Sequence, residues 1–393
     1  MELDSQIERL RAETPGCGTL AHFNNAGCAL TPQPVMAGLV GHLNLEQEAG
    51  GYEAADLAAG RIDNFYRAFA SLLNCRSDEI AFVENATRAW DMVFYAIPFQ
   101  PGDRVITGQA EYASNYLAML QLQQRRGITI DIIPDNASGT LCLDTLKNRI
   151  SPRTRLIAIT HIASQVGTVQ PAAQVGEIAR DNDILFLLDA CQSAGQLPLD
   201  TQTLHCDLLT GTGRKYLRGP RGTGFLYVNQ DVLHRLEPPF IDLHSAHWID
   251  RESYRFRPDA RRFENWECFV AGKIALGVAA DYARELGLAR IQTRIAQLVS
   301  QLRKNLAAMP GTTVYENTAN CSGIVTFSSS GEDPVTLQQR LRRAGINTSV
   351  AKRANAVVDT ELRQVGDVNR ASLHYYNTAD EIERFVDVLS SRR

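Results

Sequence analysis

The chain lacks several features that would assign it to a class at once. None of its eight cysteines (Cys17, Cys28, Cys75, Cys142, Cys191, Cys206, Cys268 and Cys321) forms a CxxC pair. Scattered thiols in a chain of 393 residues read as small buried hydrophobes, so neither a disulfide framework nor a zinc site is expected. No apolar run approaches the ~20 residues that a membrane span needs. Basic charge is not in excess: 40 Lys and Arg against 44 Asp and Glu give a formal net charge of −4. That balance argues against nucleic acid or an anionic membrane surface as a partner. Glu2, Asp4 and Glu8 precede any apolar stretch, whereas a secretory signal begins basic and then turns apolar. A cytoplasmic location is therefore expected. The chain has no internal repeat, low-complexity tract or long linker.

What is present is enough apolar residue, 44% of the chain, to build sizeable cores. The length exceeds one ordinary core, which predicts two lobes. From about Thr87 to Asn229, apolar strands alternate with amphipathic helices. Strands are predicted over Arg104–Thr107, Ile128–Pro134, Leu156–Thr160, Ile184–Asp189, Leu208–Gly211 and Gly224–Val228. Helices are predicted over Thr87–Ala96, Glu111–Arg126 and Gln174–Asn182. The unbroken run Ile184-Leu185-Phe186-Leu187-Leu188 suits a strand buried on both faces. The alternation predicts a mainly parallel sheet with ligands at the carboxyl ends of its strands. After Glu237-Pro238-Pro239 the chain becomes rich in Arg, His and aromatics up to Trp266. A long helical region, about Val270 to Ala308, precedes strand-like Gly323–Ser328, helix Pro334–Ala344 and a last helix after Ala379. These form a smaller α+β lobe. The expected division is 1–20 as an N-terminal segment packing with the small lobe, 21–245 as the large lobe and 246–393 as the small one.

The chemistry concentrates at two points. Leu187-Leu188-Asp189-Ala190-Cys191-Gln192 ends an apolar strand in an aspartate, at the edge where ligands bind. About one strand–helix unit later comes Thr210-Gly211-Thr212-Gly213-Arg214-Lys215-Tyr216, followed by Gly219-Pro220-Arg221-Gly222-Thr223-Gly224. Alone, a strand-end aspartate is often a helix cap, a lysine is more often solvated, and a glycine cluster marks a turn. Their order and spacing together are more specific. Pyridoxal 5'-phosphate (PLP) chemistry needs this combination. An amine must hold the aldehyde, and a buried carboxylate must keep the pyridine nitrogen protonated. Hydroxyls, backbone N–H groups and a cation must hold the phosphate, preferably at a helix N-terminus. Ala86 and Thr87, which open a predicted helix, are candidates with Thr212 and Arg214.

From Asn24-Asn25-Ala26-Gly27 to Arg370-Ala371-Ser372-Leu373 the chain resembles the class V aminotransferases of PLP fold-type I, the group that holds cysteine desulfurases and selenocysteine lyases. The resemblance implies an α/β large domain around a mainly parallel mixed sheet, a smaller α+β C-terminal domain, and a homodimer with shared active sites. It implies Lys215 as the Schiff-base lysine and Asp189 as partner of the pyridinium nitrogen. Gln192 contacts the ring hydroxyl oxygen, and Tyr112 stacks on the ring where desulfurases usually have His. Thr87, Thr212 and Arg214 bind phosphate, Arg214 standing where many relatives have His. Ser164 stands where desulfurases usually have Asn. Arg370 binds the carboxylate of an amino-acid substrate, with Tyr52, Ala26 and Gly27 as further substrate contacts. In place of the partner-subunit phosphate threonine stands Arg262-Phe263-Glu264-Asn265-Trp266-Glu267, where Asn265 or Trp266 could substitute.

One departure bears on the reaction. A desulfurase takes sulfur onto a cysteine shortly before the carboxylate-binding arginine, and Gly345–Arg370 contains no cysteine. Gly50-Gly51-Tyr52-Glu53-Ala54-Ala55, Glu111-Tyr112 and Arg214-Lys215-Tyr216-Leu217 instead resemble the hercynylcysteine sulfoxide lyases of ergothioneine biosynthesis. The reaction implied is β-elimination from an S-substituted cysteine or its sulfoxide, releasing pyruvate and ammonia. Lys215 is the base, Asp189 the electrostatic partner, and Tyr112 a candidate to protonate the leaving sulfur. Transamination and racemisation are the alternatives, because all three reactions share deprotonation at Cα. A classical desulfurase would need a distant cysteine such as Cys321. A non-catalytic relative would usually have lost the lysine or the aspartate. His22, His244, His247 and Trp248 are candidates to line a pocket for the leaving group.

Overall fold

The computed structural model describes residues 3–316, 320 and 322–391. Its centre is a seven-stranded sheet made by β1 (Ile80–Val83), β2 (Arg104–Gly108), β3 (Thr129–Ile133), β4 (Thr154–Thr160), β5 (Leu185–Asp189), β6 (Leu208–Thr212) and β7 (Gly224–Val228). The spatial order is β1-β7-β6-β5-β4-β2-β3. β7 runs antiparallel to both neighbours, and every other pairing is parallel. This is the mainly parallel mixed sheet expected.

The unbroken apolar run on β5 has a direct explanation. Successive strand side chains point to opposite faces. Phe186 and Leu188 join the core on one face, with Ile157, Ile159 and Phe225. Leu185 and Leu187 join the other, with Leu156, Ala158 and Leu226. Both faces are dry, so no polar residue alternates.

The helix Val270–Leu286 packs against the helices Gln33–Ala49 and Ala59–Leu73. Its Ala275, Leu276 and Ala279 enter the large-lobe core. Gly287, at φ +85°, separates it from the helix Leu288–Ala307. That conformation favours glycine, and it turns the second helix onto the small lobe. The apolar side chains before and after Gly287 thus enter mainly different cores. The small lobe carries a four-stranded antiparallel sheet in the order Thr312–Val314, Ile324–Ser329, Val368–Ser372, Ser349–Ala351. Leu3, Leu10 and Cys17 lie in the same cluster as Leu298, Leu302 and Phe385. Between the lobes an antiparallel hairpin, Ala246–Asp250 with Ser253–Phe256, is mostly exposed. No helix among the described residues is long and apolar enough to cross a membrane.

Candidate active site

Strands β4, β5 and β6 end in Thr160, Asp189 and Thr212 at one edge of the sheet. A cavity of about 180 Å³ opens there. All the residues expected to hold the cofactor line it: Ala86, Thr87, Tyr112, Ser164, Asp189, Gln192, Thr212, Arg214 and Lys215. Thr160, Asn85, Cys191 and Gly222 line it as well.

Each group has a local cause. Asp189 is 4% exposed, and Oδ1 accepts the Cys191 backbone N–H at 2.8 Å. Oδ2 accepts the Asn115 amide at 2.9 Å. Lys215 is buried, with Nζ 5.9 Å from the centroid of the Tyr112 ring. Burial pulls its amine below the usual lysine value. Cys191 and Asp189 oppose that shift, and the Arg214 and Arg370 cations add to it.

The helix α1 (Ala86–Phe94) points its N-terminus at the cavity, capped by the Asn85 side chain accepting from the Arg88 N–H at 2.9 Å. The backbone N–H groups of Ala86 and Thr87 have no intrahelical acceptor, which makes this end an anion cradle. Close packing sets its place. A Cβ on Gly224 would lie 2.8 Å from the Asn85 carbonyl carbon, so β7 passes the start of α1 only because residue 224 is glycine. Thr212 and Arg214 complete the cradle. The Thr212 hydroxyl donates to the Thr223 carbonyl at 3.3 Å, and Arg214 to the Gly27 carbonyl at 2.7 Å.

Arg370, on the small-lobe strand Val368–Ser372, is 8% exposed and donates to the Ser164 carbonyl at 2.8 Å. It has no carboxylate partner among the described residues, and its Nε is buried without a hydrogen bond. Burial lowers it to about 10, which still leaves it cationic at neutral pH. A buried cation without a counter-ion is costly, and a carboxylate ligand relieves that cost.

Other expected residues fall elsewhere. Ala26 and Gly27 stand behind the cavity rather than lining it. Ala26 accepts the Gln192 amide at 3.1 Å, and Gly27 accepts Arg214. Tyr52, on the helix Gly51–Leu57, is 72% exposed and away from its own chain's cavity. His22 is tied to Cys28 and Asn347, and His244 to Glu264. His247 and Trp248 are exposed on the hairpin. None of these four lines the cavity. Asn265 donates to Glu84, and Trp266 is exposed. Cys321 lies outside the described residues. Sequence reasoning missed the polar support behind Asp189, namely Glu111, Asn115 and Thr160. Its only trace in the sequence is a Glu and an Asn four residues apart around Tyr112.

This donor set fits PLP. A carboxylate stands ready for the pyridine nitrogen and a buried amine for the aldehyde. A tyrosine ring supplies a stacking face, and a helix N-terminus with Arg214 supplies the phosphate cradle. The buried Gln192 Oε1, without a partner among the described residues, marks a further unused polar position beside the cavity.

Comparison with known proteins bears on the family and the fold. A probable cysteine desulfurase of Methanothermobacter thermautotrophicus is 29% identical over 390 residues, spanning 98% of this chain and 97% of the relative. The apo structure of a cysteine desulfurase from Thermococcus onnurineus superposes with a TM-score of 0.91 at 25% identity, covering 97% of this chain and 96% of that one. A cystine C–S lyase, solved with its product cysteine persulfide, gives a TM-score of 0.87 at 24% identity, over 96% of this chain and 99% of that one, and so shares the fold. Residues 21–385 match the family model described as aminotransferase class-V, the family that the motifs from Asn24 to Leu373 resemble, and the chain belongs to it.

Proposed function

We propose that the chain is a PLP-dependent C–S β-lyase acting on a cysteine-derived amino acid, either S-substituted or a sulfoxide, and releasing pyruvate and ammonia. The observation that carries this reading is a site with a base, a ring carboxylate and a carboxylate-binding arginine and, among the described residues, no thiol in its lining other than the buried Cys191. Gly345–Arg370 has no cysteine. Cys191 reaches the cavity, but burial pushes its thiol far above the usual range, so it stays protonated. The relatives named above are desulfurases and a cystine C–S lyase, which supports cleavage at a C–S bond. The sulfoxide-lyase motifs around Gly50–Ala55 and Arg214–Leu217 support the finer reading of the substrate.

When bound, PLP supplies an electron sink for the pair left by the Cα proton. Arg370 grips the α-carboxylate with its planar fork and fixes the amino acid's orientation. The Lys215 amine, whose hold on a proton is weakened by burial, takes the Cα proton. Asp189 holds the positive charge of the ring nitrogen. The Cβ–S bond then breaks with its electron pair on sulfur, which leaves as thiolate or sulfenate. Tyr112, whose ring centroid lies 5.9 Å from the Lys215 Nζ, is the candidate to hand a proton to that sulfur. Hydrolysis of the three-carbon remainder yields pyruvate and ammonia.

The test is product analysis across cysteine, cystine and S-substituted cysteine sulfoxides. Pyruvate, coupled to lactate dehydrogenase, is the expected product from at least one member. Alanine together with enzyme-bound persulfide would instead make it a desulfurase. Conversion of the cofactor to its amine form, recovered only by a keto acid, would make it an aminotransferase.

The protomer is proposed to work as a homodimer. Tyr52, Leu57, Leu243, Trp248, Tyr254 and Trp266 are all exposed, which supports an interaction surface on this chain. In the proposed dimer Tyr52 and the hairpin would come within reach of the other protomer's cavity. Sedimentation equilibrium should give twice the chain mass, and a monomer at micromolar concentration would reject the shared site.

A further inference from the structure

Behind Asp189 lies a second buried carboxyl that the proposed reaction does not use. Glu111 is 6% exposed and precedes the helix Ala113–Arg126. Four donors converge on it. Oε1 accepts the Tyr112 backbone N–H at 2.8 Å, the Asn115 amide at 2.9 Å and the Thr160 hydroxyl at 2.5 Å. Oε2 accepts the Thr107 hydroxyl at 3.0 Å. Every hydrogen-bonding neighbour donates, which is the environment of an ionised carboxylate. Burial pushes the carboxyl up to about 7; the Thr160 hydroxyl opposes that, and the nearby Asp189 adds to it.

The same Asn115 nitrogen donates its other hydrogen to Asp189 Oδ2 at 2.9 Å. One amide therefore bridges two buried carboxylates that would otherwise repel each other. Thr160 and Tyr112, the other groups that Glu111 holds, both line the cavity. The carboxylate thus ties together the end of β4, the backbone that carries the stacking ring, and the outer oxygen of Asp189.

We infer that Glu111 is a positioning residue for the cofactor: through Asn115 it holds the Asp189 carboxylate in place for the ring nitrogen, and through Tyr112 and Thr160 it sets the walls beside the ring. This rests on the PLP reading above. The Asn115 amide fixes the outer oxygen of Asp189, and a carboxylate fixed there would hold a protonated ring nitrogen. Without that donor the carboxylate is less firmly placed against the ring. The bound cofactor would then withdraw electrons less, and its pH-dependent absorption change would move to higher pH.

The experiment is a spectroscopic pH titration of the PLP-loaded wild type, E111Q and N115A, with PLP affinity and thermal melting measured beside it. In each variant the pH midpoint of the cofactor's absorption change should rise by roughly one unit, the size of one hydrogen bond to a charged group. PLP affinity should fall by roughly tenfold for the same reason. The double variant should be no worse than the more severe single one, because both residues act along one chain of bonds. A role in packing alone would lower the melting temperature and leave the midpoint where it was; that result in the folded variants overturns the inference. Should E111Q fail to fold, N115A decides alone, since it leaves Glu111 three of its donors. A wild type that takes up no PLP would overturn the reading beneath, and this inference with it.

Discussion

Replacing Lys215 with alanine should lower pyruvate release by at least roughly a thousand-fold, since a positioned base contributes about 10²–10⁴ on its own. Lys215 also holds the cofactor covalently in this reading, so K215A loses both functions. The remaining cradle (α1's N-terminus, Thr212 and Arg214) should still retain PLP without the covalent bond, and dialysis should strip it far faster than from the wild type. The wild-type pH profile carries the same information. Burial first, with Arg214 and Arg370 adding to it, depresses the Lys215 amine below 10.5. A base works when deprotonated, so activity should rise with pH along an acid limb lying below that value. The profile is best read from kcat, which reports groups of the enzyme–substrate complex, where the substrate amine has displaced Lys215 and left its amine free. Substantial turnover by K215A, measured on protein freed of wild-type contamination, would remove Lys215 from the chemistry.

Much of this architecture was legible because the physics behind it is local. The strand ending in Asp189 could be read because a strand buried on both faces has no polar alternation to hide it. Asp189 and Lys215 could be read because a strand-end carboxylate and a lysine after small residues rarely coincide at that spacing. The residues expected to hold the cofactor line one cavity because each lies at or just beyond the end of a strand on the same edge of the sheet. Other features were hidden for equally physical reasons. The helix Val270–Leu286 is mostly apolar, with Lys273, Asp281, Arg284 and Glu285 as its charged residues, and an apolar stripe does not by itself say which core it enters. Its Ala275 and Leu276 chose the large lobe through packing on distant helices. The exposed hairpin Ala246–Phe256 buries little within its own chain, so no inward face shows in its pattern. Glu111 and Asn115 look like an ordinary polar helix start. Only the convergence of β2, β4 and β5 turns them into a support for Asp189.

Arg370 makes the sharpest separation between function and structure. Its guanidinium is buried without a carboxylate partner among the described residues, held by Ser164 alone on one side. A residue kept for stability would not leave a cation in that state, because unpaired buried charge is destabilising. Arg370→Met should therefore keep the melting temperature of the cofactor-loaded protein or raise it. The same change should reduce kcat/KM for the amino-acid substrate by roughly a thousand-fold, within the 2–5 kcal/mol typical of losing one side of a buried charged pair. Arg370→Lys should recover only part of that, since a point charge cannot reproduce the two parallel bonds of the fork. A matched substrate lacking the α-carboxylate isolates the interaction. The wild type should strongly prefer the carboxylated form, and in Arg370→Met that preference should largely vanish. A structural arginine would give the reverse pattern, with a lowered melting temperature and the preference intact. Loss of substrate preference together with unchanged or improved stability identifies a side chain held in an unfavourable state for a ligand that completes it.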